Sequence, residues 1–231
     1  MDDLQLEGKA LEKNLNELAF INRYLGGNDV VLNALEKIVR QHPHKKSWTI
    51  GDMGSGGGDL LRVMAQWFRK KGLEARLVGV DANAFMIDFA QKRGENYPEI
   101  SFQQANVFEG DFDAEQFDIV VFSLFCHHFK NEQLVQLWAA AQRKANVAVV
   151  VNDLHRHWLA WASIWVLTRL FRGSYLVQHD APLSVLRAFK RRELKQLLDQ
   201  AGIHSFQLQW KWAFRFQLIY DGGKEDGNSH F

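Results

Sequence analysis

The sequence is poor in cysteine, in proline and in long apolar runs. Its single cysteine, Cys126, excludes an internal disulfide and suits a reducing compartment. Three prolines in 231 residues leave no proline-rich linker between domains. No apolar run reaches the roughly 18 residues that would predict a membrane span, and the polar, acidic first residues are unlike a signal peptide. We therefore expect a cytoplasmic globular protein.

An excess of charge of either sign is also absent. The chain carries 28 Lys and Arg residues against 27 Asp and Glu residues, which gives a net charge of +1. This balance disfavours a protein that binds nucleic acid through bulk electrostatics, and the sequence contains no basic stripe. Apolar residues make up 47% of the chain, which suffices for one ordinary core without metals or disulfides. We expect no nucleic-acid partner.

From residue 48 onward, short apolar runs alternate with helical patterns. The strand candidates are rich in Val, Ile and Phe and cover residues 48–53, 76–81, 100–106, 117–123 and 146–152. The helical candidates between them cover residues 60–71, 84–93 and 132–144. Strands that alternate with helices in this way predict right-handed crossovers and a parallel sheet that is covered on both faces.

Two helices are predicted before this core. Leucine and isoleucine recur at helical spacing up to Ile21, and Gly26-Gly27 interrupts the pattern. Asn28-Asp29 fits the N-cap of a second helix, which continues to about Arg40. We interpret residues 1–47 as an N-terminal helical cap.

The segment after the fifth strand has a different composition. Residues 155–172 predict one apolar, tryptophan-rich helix, followed by a loop through Asp180 and Pro182. A further helix is predicted at residues 191–201, and a closing hairpin is predicted from strands at residues 206–212 and 214–220. We therefore expect a main domain at residues 48–222, with a lid or acceptor insertion at residues 154–190. Residues 223–231 are expected to form a disordered tail.

A glycine-rich turn between the first strand and the following helix is the most specific feature of the sequence. It reads Asp52-Met53-Gly54-Ser55-Gly56-Gly57-Gly58-Asp59. Such a turn lets the backbone approach a ligand closely and directs N–H groups into the site. A dinucleotide fingerprint would need a third glycine where Asp59 stands, and the Asp52 carboxylate would repel a pyrophosphate. The turn therefore favours a cationic ligand over a nicotinamide dinucleotide.

Acidic and amide side chains follow the next two strands. Asp81 ends the second strand, and Asn106 and Val107 come at the end of the third. Because the carboxyl ends of neighbouring parallel strands meet at the ligand crevice, these groups should lie near the glycine-rich turn. A carboxylate there can accept both hydroxyls of a ribose, while an amide and a backbone N–H suit the edge of adenine. Together the three positions predict a ligand that contains a nucleoside.

With these motifs, residues 48–152 resemble class I S-adenosylmethionine-dependent methyltransferases. The first motif of that family, D-x-G-x-G-x-G, is matched by Asp52, Gly54, Gly56 and Gly58, and the second by Asp81. The resemblance implies an α/β, Rossmann-like fold: a mostly parallel seven-stranded sheet with an antiparallel last strand and helices on both faces. The implied contacts to S-adenosylmethionine, or to its product S-adenosylhomocysteine, are Asp52, Gly54, Ser55, Gly56, Gly58, Asp81, Ala82, Asn106, Val107, Ser123 and Arg23.

One of these positions departs from the family pattern. The third motif usually has an aspartate where Asn106 stands. An asparagine keeps the carbonyl that accepts from the adenine amino group, so we expect cofactor binding to survive. Arg23, in the first helix, would hold the cofactor carboxylate if the N-terminal helices cover the crevice.

Three further stretches resemble a bacterial small-molecule subgroup of this family, which is itself similar to quinone-biosynthesis methyltransferases. They are residues 21–27, 152–156 and 179–189. Because that subgroup is linked to phenolic or polyketide products, we expect methyl transfer to a hydroxyl of an apolar, phenolic or quinol small molecule. A carbon atom, an amine or an RNA base is the alternative acceptor. A non-catalytic cofactor-binding or interaction module is the alternative from another functional class.

Two histidines are candidate general bases for a hydroxyl acceptor, because a neutral imidazole titrates near working pH. His179 stands beside Asp180, which could orient it, and His128 follows the fourth strand on the cofactor side. A purely structural role is the alternative for both, and for His128 also a place in the cofactor shell. Adjacent His127 and His128 lack acidic or cysteine ligands at suitable spacing, so we predict no metal site.

The tryptophan-rich helix is too short to span a bilayer. Since an apolar helix must be covered, we expect a lid between strands five and six that packs over an aromatic or lipid-like acceptor. Weak attachment of residues 158–172 to a membrane surface is the alternative. Arg156 and Arg187 either bind an acidic acceptor or pair with nearby aspartates. The sequence does not define an oligomeric state.

Overall fold

The computed structural model describes residues 8–108, 116–170 and 175–223, apart from the side chains of residues 9–12, 14, 18, 23, 175 and 176. The strands in these ranges are β1 Ser47–Met53, β2 Glu74–Asp81, β3 Ile100–Gln104, β4 Phe117–Ser123, β5 Ala145–Leu154, β6 Phe206–Lys211 and β7 Arg215–Asp221. The helices are α1 Lys9–Tyr24, α2 Gly27–Gln41, α3 Asp59–Lys71, α4 Ala84–Gly94, α5 Asn131–Lys144, α6 Trp158–Leu170, α7 Tyr175–Arg187 and α8 Arg191–Gln200. A short 3₁₀ turn, Cys126–His128, follows β4.

The strands form one sheet in the order β3-β2-β1-β4-β5-β7-β6. Strands β1 to β5 pair in parallel, whereas β7 runs antiparallel to both β5 and β6. This confirms the predicted α/β, Rossmann-like sheet of seven strands and its antiparallel last strand. The direction of strand order reverses between β1 and β4, and in such sheets ligands bind in the crevice at that reversal.

Strand β4 shows how helices cover both faces of the sheet. Ile119 and Val121 pack in one cluster with α2 and α3, while Val120 and Phe122 pack in another with α5 and α8. All four side chains are fully buried. Because alternate residues of a strand point to opposite faces, an unbroken apolar run is the pattern expected for a strand that is covered on both sides.

The cap of helix α2 lies two to three residues before the predicted one. The helix starts at Gly27, directly after Gly26 at φ 69°, and no side chain caps its first turn. Gly26 takes a left-handed conformation that residues with a Cβ avoid, so the glycine, and not the predicted Asn28, allows the chain to enter the helix. The Asn28 side chain instead accepts a hydrogen bond from Nδ2 of Asn22 at 2.8 Å.

The predicted loop through Asp180 and Pro182 is wrong, because α7 runs through both residues. A proline inside a helix removes one backbone hydrogen bond, a cost that tertiary packing can offset. Here Val185 packs in one apolar cluster with Ala160 and Ile164 of α6. These partners belong to the preceding helix, outside the local pattern around the proline, so that pattern did not predict the helix.

Helix α6 is shorter than the predicted range of 155–172. Before it, His155 forms an isolated parallel bridge with Phe189, and the four residues after its end lie outside the described ranges. Within the described ranges, no helix is long and apolar enough to cross a membrane. Of the tail predicted at 223–231, only Gly223 is described.

Helices α1, α6 and α7 meet near the carboxyl ends of the central strands. Ile21 of α1 and Leu25, directly after this helix, belong to the same cluster as Ile164 of α6. Leu154 of β5 and Phe214 complete this cluster. Helix α2, in contrast, packs directly on the sheet beside α3. A helical cap over residues 1–47 that is separate from the main domain therefore stays a prediction.

Candidate functional site

The glycine loop between β1 and α3 takes a conformation that requires glycine. Gly54, Gly56 and Gly58 have φ values of 75°, 50° and 69°. A Cβ on Gly54 would lie 2.0 Å from the ring of Phe125, whereas a Cβ on Gly56 would meet only open space. Gly54 thus makes room for an aromatic side chain of the protein itself, and Gly56 leaves space that a ligand can occupy.

Asp81 fixes the loop from the neighbouring strand. The backbone N–H of Gly56 donates to Oδ2 of Asp81 at 3.0 Å, and the N–H of Asn83 donates to Oδ1 at 3.0 Å. Burial raises the pKa of the Asp81 carboxyl, although the backbone donors that it accepts oppose the rise. The carboxylate predicted to bind a ribose therefore also orients the turn at which it would bind.

Asp52 adds a second buried carboxylate to this end of the site. It lies in β1, and only 2% of the residue is exposed. Burial raises the pKa of Asp52 to about 7, and the negative charge of Asp81 contributes to the rise. Two buried carboxylates that repel each other favour a positively charged ligand between or beside them. The hydroxyl of Ser55, which is buried without a partner among the described residues, offers such a ligand a further polar contact.

The remaining cofactor positions occupy three places in the fold. Asn106 lies in the turn after β3, since that strand ends at Gln104 and not at residue 106, and its Oδ1 accepts from the N–H of Phe108 at 3.1 Å. Ala82 follows β2 directly, and its carbonyl accepts from the Gln104 side chain. Val107 packs against the core next to Asn106. The carbonyl expected to accept from adenine is therefore already used once within its own turn.

The last two predicted cofactor contacts are Ser123 and Arg23. Ser123 ends β4, and its hydroxyl accepts from Nδ2 of Asn152 at 2.9 Å, a residue of the neighbouring strand. The backbone of Arg23 belongs to α1, while its side chain lies outside the described residues. The predicted role of Arg23 toward the cofactor carboxylate thus stays a prediction.

A cavity of about 480 Å³ opens beside the glycine loop. Asp52, Gly54 and Ser55 line one end of it. The other end, called the apolar chamber below, is lined mainly by apolar residues of α1, α6, α7 and the turn before β7, among them Leu25, Ile164, Leu183, Trp212 and Phe214. One continuous space thus joins the acidic end, where the predicted cofactor site lies, to a chamber suited to an apolar ligand.

His127 lines this cavity and forms a buried pair with Asp153 of β5. Nδ1 of His127 lies 2.7 Å from Oδ1 of Asp153, and the backbone N–H of His127 donates to Oδ2 at 3.2 Å. Burial alone would raise the pKa of Asp153, but the charge and hydrogen bonds of His127 hold it below its ordinary value. An ionised carboxylate only accepts, so Nδ1 carries a proton, and in the neutral form of the imidazole Nε2 is then the acceptor.

The two histidines chosen from the sequence lie in different environments. His128 lines the cavity, and its ring centroid lies 4.2 Å from that of His127. His179 stands on α7 with 64% of its side chain exposed, 3.3 Å from Oδ1 of Asp180, and it is absent from the cavity lining although Asp180 contributes to it. The structure therefore brings His128 to the site and does not bring His179 there.

Sequence reasoning missed two residues of this cavity. His127 was considered beside His128 but was not chosen as a site residue, although β4 and β5 were both predicted, and their parallel pairing aligns Ser123 with Asn152. That alignment is the signal that could have placed His127 beside Asp153. The second residue, Arg215 at the start of β7, had no signal in the sequence.

Arg156 and Arg187, the two arginines considered for an acidic acceptor, lie in different surroundings. Arg156 pairs with Glu193 and not with Asp153. Arg187 lines the cavity near its surface. Among the described residues, no group of three or more His, Cys, Asp or Glu side chains is arranged to hold a metal ion.

Solved structures share this fold at low sequence identity. Magnesium protoporphyrin IX methyltransferase from Synechocystis PCC 6803, with bound S-adenosylhomocysteine, is 15% identical, with a TM-score of 0.58 and 88% of each chain covered. Human N-acetylserotonin methyltransferase, in complex with S-adenosylmethionine, is 16% identical, with a TM-score of 0.64 over 93% of this chain and 56% of that one. A proposed S-adenosyl-L-methionine-dependent methyltransferase from Methanococcus maripaludis is 14% identical, with a TM-score of 0.63 over 97% of this chain and 99% of that one.

The sequence itself carries a family match. Comparison with curated proteins gives no match. Residues 50–148, however, match the family model of a methyltransferase domain, and this span contains the glycine loop, Asp81 and Asn106. The resemblance stated from the motifs is thereby confirmed. Residues 50–148 therefore carry a methyltransferase domain, as the motifs predicted.

Proposed function

We propose that this enzyme transfers the methyl group of S-adenosylmethionine to a hydroxyl of an apolar, phenolic or quinol small molecule. The observation that carries the proposal is the buried pair of His127 and Asp153, whose histidine lines the cavity between the glycine loop and the apolar chamber. The bound cofactor supplies an electrophilic methyl group on a sulfonium. The residues of the chain then have three tasks: to hold that cation, to remove a proton from the acceptor and to exclude water.

The acidic end of the cavity supports the first task. Asp52 is buried beside the loop, and a positive charge there would stabilise its ionised form. Asp81 accepts one backbone hydrogen bond on each oxygen, which leaves lone pairs for ribose hydroxyls. Asn106 and Val107 remain the proposed contacts to adenine.

His127 is suited to the second task. A hydroxyl of ordinary acidity must lose its proton as it gains the methyl group, and a positioned general base contributes roughly 10²–10⁴-fold to such a step. Nε2 of His127 can accept that proton because Asp153 holds Nδ1–H and stabilises the imidazolium that forms. Sequence analysis proposed His179 and His128 for this role, and His127 takes their place in the proposal.

The apolar chamber supports the choice of acceptor. Its side chains come from α1, α6 and α7, so an acceptor bound there is covered by protein and the reacting hydroxyl is shielded from water. An aromatic ring fits this lining better than a nucleic-acid strand does, because a strand would need a basic, open groove. The outer side of α6 exposes Trp158, Val166 and Leu170, which keeps attachment to a membrane surface as an alternative role for this helix.

A screen of acceptors tests the proposal. The enzyme is incubated with methyl-deuterated S-adenosylmethionine and a set of phenols and quinols, and products are identified by mass and by the NMR shift of the new methyl group. We expect O-methylated products that His127→Gln forms much more slowly. Products methylated only on carbon would assign the base to an acidic carbon acceptor instead. If none of the phenols and quinols gives a product, the proposed acceptor class is contradicted.

A further inference from the structure

Arg215 lies at the apolar end of the cavity. It begins β7 and pairs with Leu154 at the end of β5. Only 3% of the residue is exposed, yet it lines the same cavity as His127. Neither the proposed cofactor contacts nor the proposed base involves this side chain, so a buried guanidinium in a mainly apolar lining needs its own explanation.

Part of the Arg215 guanidinium is buried without a hydrogen-bond partner among the described residues. Its Nε and Nη1 are shielded from solvent and make no hydrogen bond to any described residue. Asp153 is the nearest acidic influence, but its oxygens accept from His127 and Leu154, and no salt bridge joins it to Arg215 within the described ranges. Burial lowers the pKa of Arg215 to about 10, with Asp153 opposing the fall, so the side chain is still cationic at neutral pH. A buried guanidinium whose N–H groups lack hydrogen-bond partners costs stability, which an incoming anion would restore.

A second unpartnered polar atom lies beside this guanidinium. A Cβ on Gly27 would lie 3.0 Å from Cζ of Arg215 and 1.6 Å from Oδ1 of Asn22. Oδ1 of Asn22 is also buried without a partner among the described residues, and Asn22 lines the cavity. The Gly27 carbonyl accepts from Nδ2 of Asn152 at 3.1 Å, which holds this turn against the sheet. Gly27 thus leaves space for a polar corner, formed by Arg215 and Asn22, in the apolar chamber.

We propose that Arg215 binds a carboxylate of the acceptor, so that the acceptors of this enzyme are phenolic acids; this inference rests on the proposed function. A guanidinium matches a carboxylate with two parallel, charge-assisted hydrogen bonds. Strands β7, β5 and β4 are successive neighbours, so Arg215 and the residues after β4 lie roughly 10 Å apart across the sheet. One aromatic ring that carries a carboxylate and a hydroxyl spans such a distance, which would place the hydroxyl near His127.

The cofactor carries a carboxylate of its own, which is the competing source of the anion. The glycine loop follows β1, however, and β4 and β5 separate β1 from β7. Arg215 is therefore on the acceptor side of the base. This position favours the acceptor as the source of the carboxylate.

Calorimetry on the full chain saturated with S-adenosylhomocysteine tests this assignment without requiring turnover. The probes are 4-hydroxybenzoate and 4-hydroxycinnamate, each paired with its neutral carboxamide. We expect the acids to bind about 10- to 100-fold more tightly than the amides, and Arg215→Met to remove the preference. Arg215→Lys keeps the positive charge but loses the two parallel N–H donors, so part of the preference for the acids should remain. The matched control is Arg191→Gln, outside the cavity, which should leave the preference unchanged.

The melting temperature separates binding from a structural role. Because Arg215→Met removes an unpaired buried charge, the ligand-free variant should melt at the same temperature as the wild type or higher. A lower melting temperature together with an unchanged preference for the acids in Arg215→Met would assign Arg215 to the fold and overturn the proposal. Equal binding of acids and amides by the wild type would also overturn it.

Two outcomes distinguish this inference from the proposed function. Acids that bind through Arg215 but are never methylated on oxygen would contradict the proposed function and leave the anion site standing. Methylation of neutral phenols, with rejection of the acids, would contradict the anion site alone. A loss of affinity for S-adenosylhomocysteine of tenfold or more in Arg215→Met would assign the carboxylate to the cofactor and overturn the inference.

Discussion

Nδ1 of His127 lies 2.7 Å from Oδ1 of Asp153, and both side chains are almost completely buried. The aspartate also accepts the backbone N–H groups of His127 and Leu154, so the pair is held from several directions. A carboxylate that accepts this many hydrogen bonds stays ionised, and it fixes the histidine tautomer with Nε2 as acceptor. This geometry is the one that the proposed general base requires.

Removal of this base should lower turnover without weakening cofactor binding. We expect His127→Gln to reduce kcat about 10²–10⁴-fold on a phenol acceptor, while calorimetry shows unchanged affinity for S-adenosylhomocysteine. Asp153→Asn should also lose activity, because the amide can donate to Nδ1 and favour the wrong tautomer. His179→Gln is the matched control, since its side chain is 64% exposed and outside the cavity. Normal activity in His127→Gln, or a large loss in His179→Gln, would refute this assignment.

Asp81→Ala should weaken cofactor binding. Hydrogen bonds to a charged group are worth about 1.5–3 kcal/mol, and this variant also loses the contact that orients the N–H of Gly56. Calorimetric titration with S-adenosylhomocysteine measures the loss. Glu74→Ala, at the exposed amino end of the same strand, should bind like the wild type. Unchanged affinity in folded Asp81→Ala would remove Asp81 from the cofactor site.

Cofactor affinity should depend on pH through Asp52. Its pKa is about 7 in the free protein, and a bound cation favours the ionised carboxylate. The free site therefore binds a proton below pH 7 that the cofactor must displace, and affinity should fall by up to about tenfold per pH unit as pH decreases. Titrations of S-adenosylmethionine between pH 5.5 and 8.5 should show this slope in the wild type and a flatter profile in Asp52→Asn. The same slope in both proteins would rule out Asp52 as its source.

Changes of Gly54 and Gly56 to alanine should lower the free energy of unfolding by different amounts. Both Gly54 and Gly56 have positive φ, and each change to alanine costs roughly 1–2 kcal/mol for the backbone conformation. Gly54→Ala should cost more, because its Cβ would lie 2.0 Å from the Phe125 ring, whereas Gly56→Ala meets open space. Urea denaturation measures both free energies of unfolding. The second change Phe125→Leu should recover part of the loss in Gly54→Ala; equal losses in the two single variants would contradict the contact.

The sheet and the cofactor end of the site could be predicted because their signals are local. The apolar run of β4, the glycines of the loop and the acidic residue that ends β2 are each contained in a few consecutive residues. Strand periodicity and turn chemistry act over that range, and parallel pairing then brings the strand ends together. Asp52, the glycine loop and Asp81 therefore lie where the sequence predicted them.

The acceptor end depended on contacts that no local pattern encodes. His127 meets Asp153 only because β4 and β5 pair with Ser123 opposite Asn152. The proline of α7 lies inside a helix because that helix packs on α6, and Arg215 is buried because β7 inserts between β5 and β6. The sequence by itself determined the fold class, the glycine loop and the kind of cofactor. Only the tertiary structure decided that His127 pairs with a buried aspartate and that Arg215 is buried without a salt bridge among the described residues. Both outcomes depend on strand order and on register between distant segments.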